Sequence, residues 1–452
     1  MPEQYDTHQN QKFSQAKPTF KEALLVWVKV ALYSFGGPAG QISVMHRFIV
    51  EQKQWLSEKR FLHALNFCML LPGPEAQQLA TYTGWLFHKV KGGLVAGGLF
   101  ILPGFISILL LSILYASYYE VDIVQALFYG IKPAILAIVL GALWKIGQRA
   151  LKNEVMFALA AVAFVAIFFL NIPFPLIIIS AGIIGFFGGK YCRRKFLPDE
   201  NEQDAGENSK SERPSFKHFL KTAGFWTGLW LLPVIALVLL LDFNNIFVQE
   251  GVFFSQVAVL TFGGAYAVLA YVAQQAVEAH RWLEPGEMLD GLGMAETTPG
   301  PLIQVVQFVA FMGAYREPGI LDPITAGILA SILVTWVTFL PCFLFIFSGA
   351  PYVEYLRGNK QLSAALAGIT AAVVGVILNL ALWFGMNVLF GEVLERHLLG
   401  LTLDVPEWAT FDIYAILLTA FAFFLQFILK QGMFTVLFST AGLGMVVFLW
   451  VV

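Results

Sequence analysis

The chain has 452 residues, 58% of them hydrophobic and only 13% charged, with a net charge of −2 and a mean hydropathy of +0.71. That balance belongs to a polytopic membrane protein and excludes a soluble globular domain. The lack of a bulk basic surface excludes nucleic acid as a partner.

In chain order, a polar tail over 1–20 lacks the basic region and small-residue cleavage site of a signal peptide, so insertion is expected through the chain's own helices. Two interrupted pairs of apolar segments follow, 22–35 with 38–50 and 61–71 with 74–88, then uninterrupted runs at 93–116, 123–145, 155–171 and 173–190. The stretch 191–221 turns polar and charged and reads as a linker. An isolated run at 223–242, a second set of interrupted segments, and runs at 320–348, 362–390, 410–429 and 431–452 complete the chain. The expected fold is an all-α polytopic membrane protein. It has about nine full spans plus four re-entrant hairpins, or about 13 spans if the interrupted segments cross.

The two halves are related. Phe35-Gly36-Gly37 recurs as Phe262-Gly263-Gly264, 227 positions on, and the same offset carries Trp55-Leu56 onto Trp282-Leu283 and Pro72-Gly73-Pro74 onto Pro299-Gly300-Pro301. Thirteen of the 43 pairs from Phe35 to Gln77 are identical, without a gap. Farther on, "LPGF" at 102–105 matches "LPCF" at 340–343 at an offset of 238, so the second half has gained eleven residues. The domains expected are a tail (1–20), a first repeat (21–190), a linker (191–221), an inverting helix (222–250) and a second, inverted repeat (251–452).

Lys89, Lys91, Lys145, Arg149, Lys152 and the basic start of the linker fall on one side of the runs, which the positive-inside rule makes cytoplasmic, together with the N-terminus. The inverting helix then starts the second repeat on the opposite side, an arrangement by which secondary transporters place a site at the repeat interface. The same rule favours re-entrant hairpins, because crossing segments would put Arg47, Lys53, Lys59 and Arg60 outside.

Each Gly–Pro interruption ends one half-helix and starts another. A helix N-terminus offers free N–H groups and about half a positive charge, an anion site without basic side chains. If the four breaks converge, they suit a dianion. Glu75 either caps its local N-terminus or acts as a coupling or gating group, as do the candidates Glu296 and His46. Thr297 and Thr298 either donate to an oxyanion or satisfy backbone in a bent helix. Gln77 and Gln304 either donate to oxyanion oxygens or pack as polar helix contacts. Lys132 is either a substrate counter-charge or a lysine snorkelling to the interface. Trp55 and Trp282 read as interfacial anchors. Cys68, Cys192 and Cys342 match no metal or disulfide spacing, and no HExxH, HxxxH or acidic metal motif is present, so no metal or cofactor is expected.

The segments "FGGPAGQI", "WLSEKRFLHALNFCMLLPGPEAQQLATYTG", "TFGGAYAVL" and "WLEPGEMLDGLGMAETTPGPLIQVVQF" resemble the paired signatures of the chromate ion transporter family in its long-chain, two-domain form, over roughly residues 20–450. The resemblance implies a bacterial inner-membrane transporter, not an enzyme, that exports chromate and confers chromate resistance. Sulfate is the natural look-alike. The alternative is a transporter of sulfate or another divalent oxyanion, with proton-coupled uptake. On the helix-end reading the oxyanion would bind at Phe35, Gly36, Gly37, Pro38, Pro72, Gly73, Pro74, Gln77, Lys132, Phe262, Gly263, Gly264, Thr297, Thr298, Pro299, Gly300, Pro301 and Gln304. The partners expected are the oxyanion, the lipid bilayer and, at most, a second copy of the chain.

Overall fold

The computed structural model describes residues 17–196, 216–262, 264–352, 360–398 and 401–451. Most of the tail, most of the linker and Gly263 lie outside them. In the first half, α1 (Phe20–Tyr33) is followed by α2 (Gly37–His46), which continues as a π-helical turn over Arg47–Gln52. Then come α3 (Glu58–Cys68), α4 (Glu75–Tyr118), α5 (Asp122–Ala150), α6 (Glu154–Phe168), α7 (Phe174–Tyr191) and the single turn α8 (Arg193–Phe196). The second half holds α9 (Phe216–Leu240), α10 (Ile246–Leu260), α11 (Ala265–Gln274) with a π turn over Gln275–Ala279, and α12 (Pro285–Thr297). A 3-10 turn, Leu302–Gln304, leads into α13 (Val305–Arg316), followed by α14 (Pro323–Gly349) and α15 (Lys360–Leu389). A hairpin of β1 (Val393–Leu398) and β2 (Leu401–Pro406) precedes α16 (Ile413–Phe423), its π turn Phe424–Ile428, and α17 (Met433–Trp450).

Among the described residues seven helices are long and apolar enough to cross a membrane, with α6 and α16 among the shorter apolar ones. Together they account for all nine uninterrupted runs read from the sequence. The β-hairpin departs from the all-α expectation. It is an insertion, since Glu154 and Phe174 correspond to Ile413 and Met433, both 259 positions on. The eleven-residue gain is placed equally well. Backbone at His88 (φ −133°) and Lys89 (φ 52°, ψ −144°) is not helical, so α4 reverses there, and the equivalent point in the second half is the loop between α13 and α14. The glycines of "KGGLVAGGLF" let the two arms of α4 touch: a methyl on Gly84 would lie 2.4 Å from the Gly92 carbonyl oxygen.

The repeat extends to backbone detail. The π turns after α2 and α11 are each closed by a tryptophan N–H, Trp55 to the Ile49 carbonyl (2.9 Å) and Trp282 to the Ala276 carbonyl (2.7 Å). Positive φ recurs just before, at Gln54 (52°) and Arg281 (56°).

Ring contacts fix the path of the broken segments. Phe20 meets His88 at 5.4 Å and Trp55 meets Phe87 at 5.5 Å. The start of α1, the 53–57 loop and the α4 reversal therefore share one end of the molecule, here the near end. A crossing path would separate Trp55 from Phe87 by roughly the 30 Å hydrocarbon thickness, so the segments are hairpins. In the second repeat Phe254 stacks on Trp282 at 5.9 Å and Arg316 Nη1 donates to the Trp282 carbonyl at 2.7 Å. Tyr315 lies 3.5 Å from the Ala116 carbonyl oxygen, beside the last turn of α4. These loops therefore sit at the far end, and the repeats are inverted. Trp282 is 2% exposed, so it is a core residue and not the interfacial anchor expected: Phe253, Phe254 and His280 enclose it.

The halves are interlocked. Helices α6 and α7 pack on α15 of the other repeat, and α16 and α17 pack on α5. Equivalent glycines make both contacts. A methyl on Gly444 would lie 2.2 Å from Gly130 Cα, and one on Gly368 would lie 3.0 Å from Gly185 Cα.

Candidate functional site: the crossed helix breaks

The four breaks begin with glycine conformations that other residues rarely adopt: φ is 83° at Gly36, 120° at Gly73, 105° at Gly264 and 113° at Gly300. They then pair across the repeats. Gly73 N–H donates to the Thr261 carbonyl (2.7 Å), and Gly300 N–H donates to the Ser34 carbonyl (2.9 Å). Ser34 and Thr261 are 227 positions apart, as are Gly73 and Gly300, so the two bonds are symmetry mates. The "LPGF" and "LPCF" motifs back them: Gly104 packs on Gly300, and Cys342 Sγ lies 3.0 Å from where a methyl on Gly73 would be. Gln77 approaches Gly97 while Gly300 lies against Gly104. The breaks thus meet as two crossed pairs flanking about 10 Å of α4.

Four half-helices start here, at Gly37, Glu75, Ala265 and Leu302, and among the described residues none has a side-chain cap. Elsewhere Thr19, Ser57, Asn153, Asn245, Asp322 and Asp412 accept from first-turn N–H groups. Helices α5, α7 and α17 also begin uncapped, but behind exposed cap residues, Val121, Pro173 and Gly432. At the breaks the free N–H groups stand beside half-buried backbone, with Phe35, Pro38, Pro72, Pro74, Phe262 and Pro299 partly exposed and Pro301 buried. Phe35 packs edge-on against Phe434 of α17 at 5.4 Å.

The candidate side chains divide. Gln77 and Gln304 are buried beside the breaks. Gln77 Nε2 donates to Thr81 (3.1 Å), Gln304 Nε2 donates to Gln307 (2.6 Å), and both amide oxygens lack partners among the described residues. Thr297 donates to the Gly293 and Met294 carbonyls (3.0 and 2.9 Å), and Thr298 to the Ala295 carbonyl (3.3 Å). Those hydroxyl protons are therefore committed to α12. Glu75 stands in the first turn of α4, half-buried. Glu296 is fully enclosed and accepts a short hydrogen bond from Tyr266 at the start of α11. His46 lies between Glu51 (3.1 Å) and Glu58 (2.5 Å) near the loop end of its hairpin, about 12 Å along α2 from Pro38. It is not brought to the breaks. Nor is Lys132, which lies 3.6 Å from Asp290.

Several polar residues here were missed from the sequence. Gln41 Nε2 donates to the Gly300 carbonyl (2.5 Å), and Gln78 Nε2 donates to the Pro72 carbonyl (2.6 Å), each holding a break open. Asp290 is completely buried and accepts from Tyr115 (2.8 Å). Asp290 and Tyr266 lie in segments whose membrane depth the sequence leaves open. The usable signal was their position between two breaks.

Fold and site together define a polytopic membrane transporter built from inverted repeats with broken helices. The chain belongs to the chromate transporter family, whose profile matches it twice, over residues 21–186 and 248–445. It is similar to a chromate transport protein of Cupriavidus metallidurans, 25% identical over 79% of this chain and 81% of that one. A chromate transport protein of Pseudomonas aeruginosa is 28% identical over 78% and 77%. A probable chromate transport protein of Synechococcus elongatus is 25% identical over 86% and 90%. No solved structure matches the chain.

Proposed function

We propose that the chain exports chromate across the bacterial inner membrane and so confers chromate resistance. It works as a carrier, without chemical conversion of the substrate. The functional units are repeats 21–190 and 251–452, joined by the linker 191–221 and the inverting helix 222–250, with the near end cytoplasmic. The oxyanion is held at mid-depth by the half-helix starts at Gly36–Pro38, Pro72–Pro74, Phe262–Gly264 and Pro299–Pro301. The observation that carries this reading is that these four starts lack side-chain caps and are tied together in crossed pairs. Their combined N-terminal charge, about +2, matches a dianion.

The test is labelled chromate in inverted membrane vesicles. Accumulation should saturate with concentration and be reduced by sulfate if the site recognises charge and shape. Accumulation no greater than in vesicles lacking the protein would contradict the proposal. Buried Glu296, hydrogen-bonded to Tyr266 beside a break, favours a second reading, proton-coupled uptake of sulfate. That reading requires inward sulfate flux following an imposed pH gradient.

A further inference from the structure

Asp290 and Lys132 make a second polar centre, outside the crossed breaks. Asp290 is 0% exposed on α12, about 12 Å along that helix from the break at Thr298 toward the far end. Its Oδ2 accepts from Tyr115 of α4 at 2.8 Å, while Oδ1 has no hydrogen bond among the described residues. The Lys132 ammonium of α5 stands 3.6 Å from Oδ1, within reach of the charge but too far for a hydrogen bond. The Lys132 side chain is 22% exposed, so the lysine is partly accessible while the carboxylate is not. Gly286 makes room for it: a methyl there would lie 3.0 Å from Lys132 Nζ. Among the described residues the other ionisable groups around Asp290 are Tyr119, which caps the C-terminus of α4, and Glu287 on α12. Glu287 is itself bound by Arg316 of α13 at 2.6 Å, and Tyr315 of α13 is turned to the Ala116 carbonyl. Helix α15, which also packs on α12, carries no ionisable residue after Lys360. In the other repeat the equivalent positions are His63 and Thr370, so the acid–lysine pair exists on one side of the molecule only.

We infer that Asp290 is a proton-operated latch on Lys132: ionised, it holds the ammonium against α12, and protonated, it releases the ammonium to pair with an oxyanion between the breaks and the far end. A buried carboxylate is stable only while paired, so loss of the lysine to an incoming dianion leaves an isolated charge unless a proton arrives. Tyr115 stays on Oδ2 throughout. The proton comes from far-end water and returns to it, so it is not carried across, and the dianion still moves two charges. The inference rests on the reading that the chain carries an oxyanion.

The test measures the KM for chromate in proteoliposomes of the full chain from pH 6 to 9, for wild type, Asp290→Asn, Lys132→Gln and Tyr115→Phe. Chromate's own protonation acts equally on all four proteins, so the ratio of each variant to wild type is the readout. Wild-type KM should rise by up to about tenfold per pH unit above the latch's titration relative to Asp290→Asn, whose lysine is always free. Lys132→Gln should bind more weakly and lose the same pH dependence. Tyr115→Phe removes a donor to the ionised form and should shift the profile to higher pH. Should Asp290→Asn fail to insert, the Tyr115→Phe shift decides alone. Identical pH profiles for wild type and the folded variants would overturn the latch while leaving transport intact. No chromate flux in wild type at any pH would overturn the transport reading and the latch with it.

Discussion

Glu250 and Gly313 have traded volume with their counterparts in the first repeat. Glu250 is fully buried, neither carboxyl oxygen has a hydrogen-bond partner among the described residues, and Oε1 lies 2.7 Å from where a methyl on Gly313 would be. The equivalents are Ala23 and Leu86, so the carboxyl fills the space a leucine fills in the other half. Gly313→Leu alone should destabilise by about 1–3 kcal/mol through overpacking against Glu250 and Trp282. Adding Glu250→Ala should recover most of it, with a coupling of at least about 1 kcal/mol. Thermal unfolding of the two single variants and the double in detergent checks this, and additive effects would contradict it. Lys132 was legible in the sequence because a lysine in an apolar run stands out. Asp290 was not, since nothing in "EMLDGLGMAE" tells that this helix is buried on all sides. Thr297 and Thr298 show the converse: hydroxyls suited to an oxyanion are spent on the carbonyls of their own helix.

At the scale of elements, the breaks were legible because glycine and proline leave a chemical mark on the chain. Their crossed pairing was not, because main-chain N–H and C=O groups carry no residue signature. Gly73 has φ 120° and Gln78 Nε2 2.7 Å from the site of an added methyl. Gly73→Ala should therefore cost about 1–3 kcal/mol and abolish most chromate flux. Gly98→Ala, with nothing within 4 Å, should keep flux and gain up to about 1 kcal/mol. Parallel flux and unfolding measurements separate the two. The β-hairpin after α15 escaped notice because a short, mixed polar segment between two apolar runs reads as a loop. Hairpin topology has its own test in a cysteine-depleted chain. Lys59→Cys and Lys91→Cys should be labelled from one side of the membrane, and Glu284→Cys and Glu120→Cys from the other. Labelling of Lys59→Cys with Glu120→Cys would mean that the segments cross.

Across the whole molecule, inversion was legible from a 227-residue offset and one extra helix. The interlocking was not: α6 and α7 leave their own repeat to pack on α15, as α16 and α17 do on α5. Each repeat thus completes the other, and the breaks meet where both contribute. With the cell interior negative, a leaving dianion gains about 4.6 kcal/mol per 100 mV, enough to hold a gradient of roughly two thousandfold. The most direct measurement is chromate flux in proteoliposomes under an imposed potassium-diffusion potential. A saturable flux that reverses with the sign of the potential and carries two charges per chromate is predicted; an electroneutral flux, unmoved by the potential, would contradict it.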